Sequence, residues 1–387
     1  MSTNVHFYLI SALFFVHFIN ILVEINGKTI SHSKPYKILV APLDWGLGHA
    51  TRCIPIIYHL LNQGAAVWLA SNGQSLRVLK DAFPQLPFYE LPGYNISYQK
   101  NGRQFAFKIL MQLPKIIDAV WSEHRWLKRM QKVHRWDLVI SDNRYGLFST
   151  ATKTIIITHQ LNVFSGWGKL TDIMLQRVLY SYINRFDHCW IPDAQGTPNL
   201  TGILGHPVNL PKRVAYIGPI SRMNHISTAS NNTILILLSG PEPQRSLLEK
   251  IILTQVSSIK RDFLLVRGLP SETALPDVPS HVHAINYLGG TDLSMAINAV
   301  SLIICRSGYS SVMDLVKLQK KAILIPTPGQ TEQEYLGKQL MKMKQFVCQL
   351  QDQIDIKSGI QQLEKTELQT IDLDFDHYKQ ALLEIGI

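Results

Sequence analysis

The chain has 387 residues, 46% hydrophobic and 17% charged, which excludes a disordered protein and exceeds what one ordinary core accommodates; two domains of moderate size are expected. A net charge of +10 favours an anionic partner, whether a phosphorylated substrate, a membrane surface or a nucleic acid. The four cysteines (Cys53, Cys189, Cys305, Cys348) are far apart and form no CxxC pair, so they read as reduced, mostly buried thiols rather than a zinc site or a disulfide framework.

Phe7 to Val23 is apolar apart from Ser11, His17 and Asn20, about the minimum length that crosses a bilayer. No Lys or Arg precedes it, Lys28, Lys34 and Lys37 follow it, and Leu22 to Gly27 makes a poor cleavage site. Residues 1–34 therefore read as an anchor or signal-like segment with its linker, the charge bias placing the body in the cytoplasm. A poor signal peptide and a mis-assigned start are the alternatives. Sequons begin at Asn95, Asn199 and Asn231, a pattern frequent by chance.

Tyr36 to Pro42 reads as a strand, Asp44 to Arg52 as a turn, Ile54 to Leu61 as a helix and Ala65 to Ala70 as a second strand, a βαβ unit. Gly46-Leu-Gly48 in the turn is either a tight strand-to-helix connection or part of a dinucleotide fingerprint. Against the second stand Thr51 or Arg52 at the third glycine position and Ser71-Asn72-Gly73, which lacks the acidic residue that holds a ribose. Gln104 to Trp136 is basic and aromatic, with Leu113, Ile116, Ile117, Val120, Leu127 and Met130 near helical spacing. It is either a helix packed on its own sheet with a solvated basic face or a helix lying on an anionic bilayer. Asp137 to Asp142 and Thr154 to Gln160 read as strands with polar ends, and ligands sit at such ends along one edge of a parallel sheet.

Ala215 to Arg222 and the polar run Asn224 to Thr233 read as a hinge between domains spanning 35–220 and 221–387. Strand and helix then alternate again: strands at Thr233 to Leu238, Phe263 to Arg267, Val282 to Tyr287, Leu302 to Ile304 and Ala322 to Ile325, and a closing helix over Phe375 to Ile387. The sharpest signal is Leu302 to Asp314, where an unbroken apolar run breaks at Ser307-Gly308 into an amphipathic segment starting near Ser310. That is strand, tight turn, helix, and the helix start favours phosphate. After the next strand, a Pro-Thr-Pro-Gly loop carries Gln330, Glu332, Gln333 and Glu334, groups suited to sugar hydroxyls. The run Asp372-Leu-Asp374-Phe-Asp376 lies outside any strand end and reads as surface rather than as a metal site.

Over roughly Lys37 to Leu340 the chain resembles the GT-B glycosyltransferases, and within them family 28, which holds the bacterial cell-wall N-acetylglucosaminyltransferase acting on a lipid-linked precursor and the plant galactolipid synthases. Cys305-Arg-Ser-Gly-Tyr-Ser-Ser-Val-Met-Asp314 matches the family's Ser-Arg-Ala-Gly-x-x-Thr-x-x-Glu signature. The resemblance implies two Rossmann-like α/β domains facing across a cleft, the C-terminal one holding a UDP-sugar and the N-terminal one the acceptor. It implies donor contacts from Ser307, Gly308, Ser310 and Ser311 at the helix start, from Asp314 to the ribose, from Gln333 and Glu334 to the sugar, and from Arg222 to the phosphates, with Ser239-Gly240 standing in for a richer glycine loop. For Asp314 a capping box with Ser311 competes.

On the acceptor side Gly46-Leu-Gly48-His49 resembles the family's Gly-Gly-x-Gly-Gly-His with two glycines missing. His49 then takes the place of a general base or transition-state contact, a role histidine suits near neutral pH, with a first-turn cap as the alternative. His159-Gln160 resembles a His-Glu-Gln-Asn element, and Asp142 is the backup base. The implied function is an inverting, metal-independent hexosyl transfer from a nucleotide sugar, UDP-linked for choice, to an acceptor hydroxyl without a cofactor. A lipid-linked or membrane acceptor and an anionic membrane surface are the implied partners, with membrane association and the catalytic part in the cytoplasm. Two other readings stay open: a UDP-N-acetylglucosamine 2-epimerase-like enzyme, and a membrane-tethered subunit that binds a nucleotide sugar without turnover. A nucleic-acid binder is disfavoured, because the basic residues are spread out and no binding motif is present.

Overall fold

The computed structural model describes residues 34–94, 105–165, 167–227, 231–270 and 272–387. The apolar segment Phe7 to Val23 and the sequon at Asn95 lie outside the described residues. Among the described residues no helix is long and apolar enough to cross a membrane.

The strand runs build two parallel sheets. The first contains β1 (Lys37–Pro42), β2 (Ala66–Ser71), β3 (Phe88–Glu90), β4 (Leu138–Asp142), β5 (Lys153–Ile157), β6 (His188–Ile191) and β7 (Val214–Tyr216), in the order β3-β2-β1-β4-β5-β6-β7. Its helices are α1 (Leu47–Asn62), α2 (Gly73–Ala82), α3 (Phe105–His134) and α4 (Lys169–Ile183). The second contains β8 (Asn231–Leu237), β9 (Phe263–Val266), β10 (Val282–Ile285), β11 (Val300–Cys305), β12 (Lys321–Leu324) and β13 (Val347–Cys348), in the order β10-β9-β8-β11-β12-β13. With it go α5 (Gln244–Val256), α6 (Gly290–Ala299), α7 (Tyr309–Lys317), α8 (Thr331–Lys342) and α9 (Ile356–Lys365), and the chain closes with α10 (His377–Glu384).

Helices on both faces explain why the central strands are apolar without alternation. Ile38 and Val40 of β1 join one core with Ile56, Ile57 and Leu60 of α1, while Leu39 and Ala41 join the opposite core with Leu127 of α3 and Trp136. In β11, Ile303 and Cys305 face one core and Leu302 and Ile304 the other. The strand order reverses between β1 and β4 and again between β8 and β11, and the crevice outside such a switch point is where open α/β sheets bind ligands. β1 and β4 run in register to their ends, Pro42 opposite Asp142, so the loop after β1 and the end of β4 share one edge.

Two expectations change, and one that offered two readings is resolved. The first helix begins at Leu47 rather than Ile54, because Gly46, at φ 96°, takes a backbone conformation that glycine adopts cheaply and lets the chain turn straight into it. The closing helix, grouped by sequence with the second domain, packs on the first: Tyr378, Ala381 and Leu382 belong to the core of α1 and β1. Periodicity alone leaves α3 ambiguous, and its contacts resolve it as a sheet-packed helix. Ala119, Val120, Glu123 and Leu127 are buried, whereas Lys115, Arg125, Lys128, Arg129 and Lys132 face solvent.

Glu123 is the least expected of these, a carboxylate with no exposure. Its Oε1 accepts from Arg144 Nη1 at 2.8 Å, and its Oε2 from the Gly146 amide and the Tyr94 hydroxyl, each at 3.1 Å. Arg144, equally buried, also donates to the Pro42 carbonyl at 2.9 Å and to Asn72. The pair thus ties α3 to the loops around β1, β2 and β4. Removing one partner of a buried pair leaves the other uncompensated, so Glu123→Ala should cost about 3–5 kcal/mol in urea unfolding. Arg125→Ala, on the exposed side of the same helix, should stay within about 0.5 kcal/mol.

Candidate functional site

The site is built from the first turns of α1, the end of β4 and the end of β5. Asp142 closes β4 and is fully buried. Arg52, one helical turn after His49, grips it with both arms: Nε donates to Oδ2 at 2.5 Å and Nη2 to Oδ1. His49 Nδ1 stands 2.8 Å from the same Oδ1 and 3.0 Å from Arg52 Nη2; an ionised carboxylate can only accept, so the shorter contact puts the proton on Nδ1. Burial alone would raise the Asp142 carboxyl, but the Arg52 guanidinium, then His49, more than offset it and hold it well below the usual carboxylate range. With Nδ1–H committed to Asp142, a neutral His49 presents Nε2 as a proton acceptor. Burial lowers its pKa below the ordinary histidine value, which Asp142 opposes only in part, so it is neutral at neutral pH.

His159, after β5, extends the array across the cleft. Arg52 Nη1 donates to His159 Nδ1 at 3.2 Å, which leaves the neutral ring's proton on Nε2, and that nitrogen meets Glu332 Oε1 at 2.7 Å. Glu332 lies in the first turn of α8, in the second domain. Burial would raise its carboxyl, but His159 outweighs this and lowers it. Tyr309 at the start of α7 stacks on His159, with centroids 4.4 Å apart and planes 14° apart, and its hydroxyl donates to the Pro192 carbonyl at 2.5 Å. The two helix starts approach so closely that a Cβ on Gly48 would overlap the Ser310 hydroxyl.

Where the resemblance implies donor contacts, the start of α7 lies at the end of β11 as the sequence implies, with Gly308 as its N-cap and open space where a side chain would be. Ser311 and Asp314 therefore lie inside the helix, and the capping-box reading of that pair does not hold. Asp314 instead accepts from the Ser221 hydroxyl at 2.5 Å, and burial pushes its carboxyl up to about 6. Arg222 adjoins it, half-buried, with Nη1 3.6 Å from where a Gly290 Cβ would stand; its Nε is buried and has no hydrogen-bond partner among the described residues. Ser239 and Gly240 are exposed after β8, with Gly240 at φ 102°.

Several of the expected site residues are engaged within the protein itself. Ser307 Oγ donates to the Gln333 carbonyl at 2.8 Å, the Gln333 side chain accepts from the Thr327 amide at 3.0 Å, and Glu334 accepts from the Gly329 amide at 2.9 Å. These groups, expected on the donor, hold their own loop, and Glu332 is the side chain that reaches across. Asp142, expected as a backup base, is locked in a salt bridge and orients His49. The cap alternative for His49 does not hold either, because its ring bonds to Asp142 and Gly46 is the N-cap. Gln160 is half-buried beside His159, its amide 3.4 Å from the Thr158 hydroxyl. Arg306 of the signature is structural: it donates to the carbonyls of Ile325, Pro326 and Gln244, and burial lowers it to about 10.

Arg52, Tyr309 and Thr327, whose buried hydroxyl has no partner among the described residues, were not singled out as site residues from sequence, and Glu332 was read only with its loop neighbours as a group for sugar hydroxyls. The available signal for Arg52 was its i, i+3 spacing from His49, which puts both on one helix face. Because Asp142 is fully buried, Arg52→Met should destabilise by about 3–5 kcal/mol. In the wild type the pair's stabilisation is full above the ordinary carboxylate range and is lost as pH falls through the depressed Asp142 value. Arg52→Met removes that depression, so acid unfolding followed by circular dichroism should begin at higher pH.

Residues 263–375 match the model of the glycosyltransferase family 28 C-terminal domain. Among curated proteins, the chain is 23% identical over 310 residues to the UDP-N-acetylglucosamine--N-acetylmuramyl-(pentapeptide) pyrophosphoryl-undecaprenol N-acetylglucosamine transferase of Acinetobacter baumannii (strain AYE), covering 76% of this chain and 79% of that one. The protein of the same name from Coxiella burnetii is 20% identical over 296 residues, covering 73% and 75%. The fold matches a glycotransferase of kitacinnamycin with a TM-score of 0.61 at 11% identity, over 86% of this chain and 91% of that one. It also matches the Acinetobacter baumannii MurG structure with a TM-score of 0.50 at 15% identity, over 91% and 99%. The two-sheet build, the family 28 domain and the relatives along most of the length lead to one conclusion: the chain is a family 28-like GT-B glycosyltransferase, an enzyme that transfers a sugar from a nucleotide-sugar donor.

Proposed function

We propose that the donor is a UDP-sugar, that the acceptor is a hydroxyl on a lipid-linked or membrane-borne molecule, and that transfer is inverting and needs no metal. The observation that carries the mechanism is His49, bonded to a buried carboxylate and adjoining the start of α7. Nε2 of neutral His49 removes the acceptor hydroxyl proton as its oxygen attacks the anomeric carbon from the face opposite the leaving diphosphate. Asp142 keeps Nδ1 protonated and stabilises the imidazolium that forms, as a carboxylate does in other His-based sites. Charge developing on UDP is offset by the α7 start and by Arg222, whose Nε has no partner among the described residues. Asp314 is the acceptor for ribose hydroxyls. The names of the curated relatives, which pair a UDP-sugar with an undecaprenol-linked substrate, support the donor and acceptor classes. The same relatives, with the chain's net charge, support peripheral attachment of a cytoplasmic enzyme to a membrane.

Three experiments test this. The first is a thermal-shift panel of UDP- and GDP-sugars followed by transfer assays; stabilisation by GDP-sugars alone removes the donor assignment. In the second, His49→Ala should lower turnover about 10²–10⁴-fold with donor affinity nearly unchanged, since the donor contacts belong to the other domain. The acid limb of kcat/KM should fall below the ordinary histidine value, because the neutral base is lost only as pH drops through its depressed pKa. Asp314→Asn should cost about 1.5–3 kcal/mol of UDP affinity by calorimetry. Wild-type UDP affinity should weaken below about pH 6 as the Asp314 carboxyl takes up its proton.

A further inference from the structure

We propose that the outer face of α4, with the segment 203–213 beside it, docks onto a bilayer surface bearing anionic headgroups. This deepens the membrane side of the reading above and stands on separate observations. A surface helix ordinarily has one apolar face, turned inward. The inner face of α4 meets that need, with Ile183 buried and Leu179 and Tyr180 packed on the core around Phe186 and Ile191. The outer face is apolar as well. Leu170, Ile173, Met174 and Val178 are 81%, 44%, 67% and 55% exposed, at the i, i+3, i+4, i+8 spacing of a single stripe. Trp167, 47% exposed, stands just before the helix, and Val208 is fully exposed in the neighbouring segment. That segment is held to the helix by the Tyr180 hydroxyl on the Asn209 carbonyl at 2.7 Å and by the Lys212 amide on Asn184 at 2.8 Å. A contiguous apolar surface of this kind marks an interaction site.

The charges around it choose the partner. Lys169, Arg177, Arg185 and Lys212 are exposed, and among the described residues no carboxylate pairs with them. The nearby acids are engaged: Asp172 accepts from the Ser165 amide and hydroxyl, and Asp187 from the Thr154 amide and hydroxyl. Arg185 lies over the Phe148 and Tyr182 rings, 4.9 Å from each centroid, and the other three carry their charge to solvent. An apolar stripe with a tryptophan at its end and cations without carboxylate partners along it is the pattern of a helix lying in the plane of an anionic interface. A two-fold contact between copies would set these cations against themselves. The location is also apt, because Phe164, just before Trp167, accepts the Thr331 hydroxyl of the second domain with its carbonyl at 3.2 Å. The face therefore borders the cleft, and an acceptor held in the bilayer would enter at that edge.

The test uses the full chain with Met174→Cys carrying a nitroxide label; the native thiols are buried or partly so. A second label at Lys260→Cys, exposed in the second domain, serves as control. On vesicles of phosphatidylcholine with phosphatidylglycerol, the label at 174 should collide more often with oxygen and several-fold less often with a water-soluble nickel chelate, while the label at 260 stays unchanged. Pure phosphatidylcholine should give a smaller effect. If the chain binds the anionic vesicles while the label at 174 keeps its aqueous accessibility, the proposal is wrong. Loss of accessibility at rising protein concentration without lipid overturns it too, assigning the face to contacts between copies. UDP affinity measured on the same labelled protein should be unaltered, so failure of the docking face leaves the glycosyltransferase reading intact.

Discussion

A carboxylate taken wholly out of water at the end of a central strand is the constraint from which the first domain's cleft follows. Asp142 is tolerable there only while charge and hydrogen bonds compensate its lost hydration. Arg52 supplies the charge through two parallel bonds, and both must come from one rotation of α1 about its axis. That rotation brings His49, three residues earlier, onto the same oxygen and aims its other nitrogen away from the carboxylate. For the helix to start early enough to carry both residues, the chain must turn immediately after β1, which Gly46 permits. Electrostatics at one buried atom pair thus sets the geometry of a loop, a helix and a histidine tautomer.

The second domain completes the array. Glu332 approaches His159 from the opposite side of the cleft, and the His159 ring, held between that carboxylate and Arg52, links the start of α8 to the Asp142 cluster. Tyr309 fills the space beside it by stacking, and Gly48 admits Ser310 at the point of closest approach. A proton acceptor belonging to one sheet and a helix start favouring anions belonging to the other therefore lie side by side. Neither half contains the pairing. The return of α10 to the first core, with Tyr378 bonding the Pro55 carbonyl at 3.4 Å, gives the second domain another tie to the first besides the hinge.

The basic character of the chain divides into two populations. Arg52, Arg144, Arg245, Arg267 and Arg306 are used internally, the first four on buried carboxylates and the last on carbonyls. They say nothing about a partner. Lys169, Arg177 and Lys212, along α4 and its neighbouring segment, pair with no carboxylate among the described residues, which is why location carries information that net charge does not.

The sequence by itself determined the sheets and the family. Runs such as Ile38 to Ala41, Leu302 to Cys305 and Ala322 to Ile325 are apolar without alternation because both their faces are covered, and that pattern is local enough to read. So is the break at Ser307-Gly308, where strand becomes helix, and so is His49 as a candidate through its glycine turn. The short strands β6 and β7 and the helices α2 and α4 went unread, since brief or doubly apolar segments give no clean period. Only the tertiary structure decided which polar residues meet. Arg52 and Asp142 are 90 positions apart, and His159 and Glu332 are 173 apart. Glu332, Gln333 and Glu334 are adjacent in one loop, and which of them faces the cleft depends on the pose of α8 against β5. A buried ion pair selects its partner by distance in space, and the chain carries no periodic trace of a choice made between separate elements.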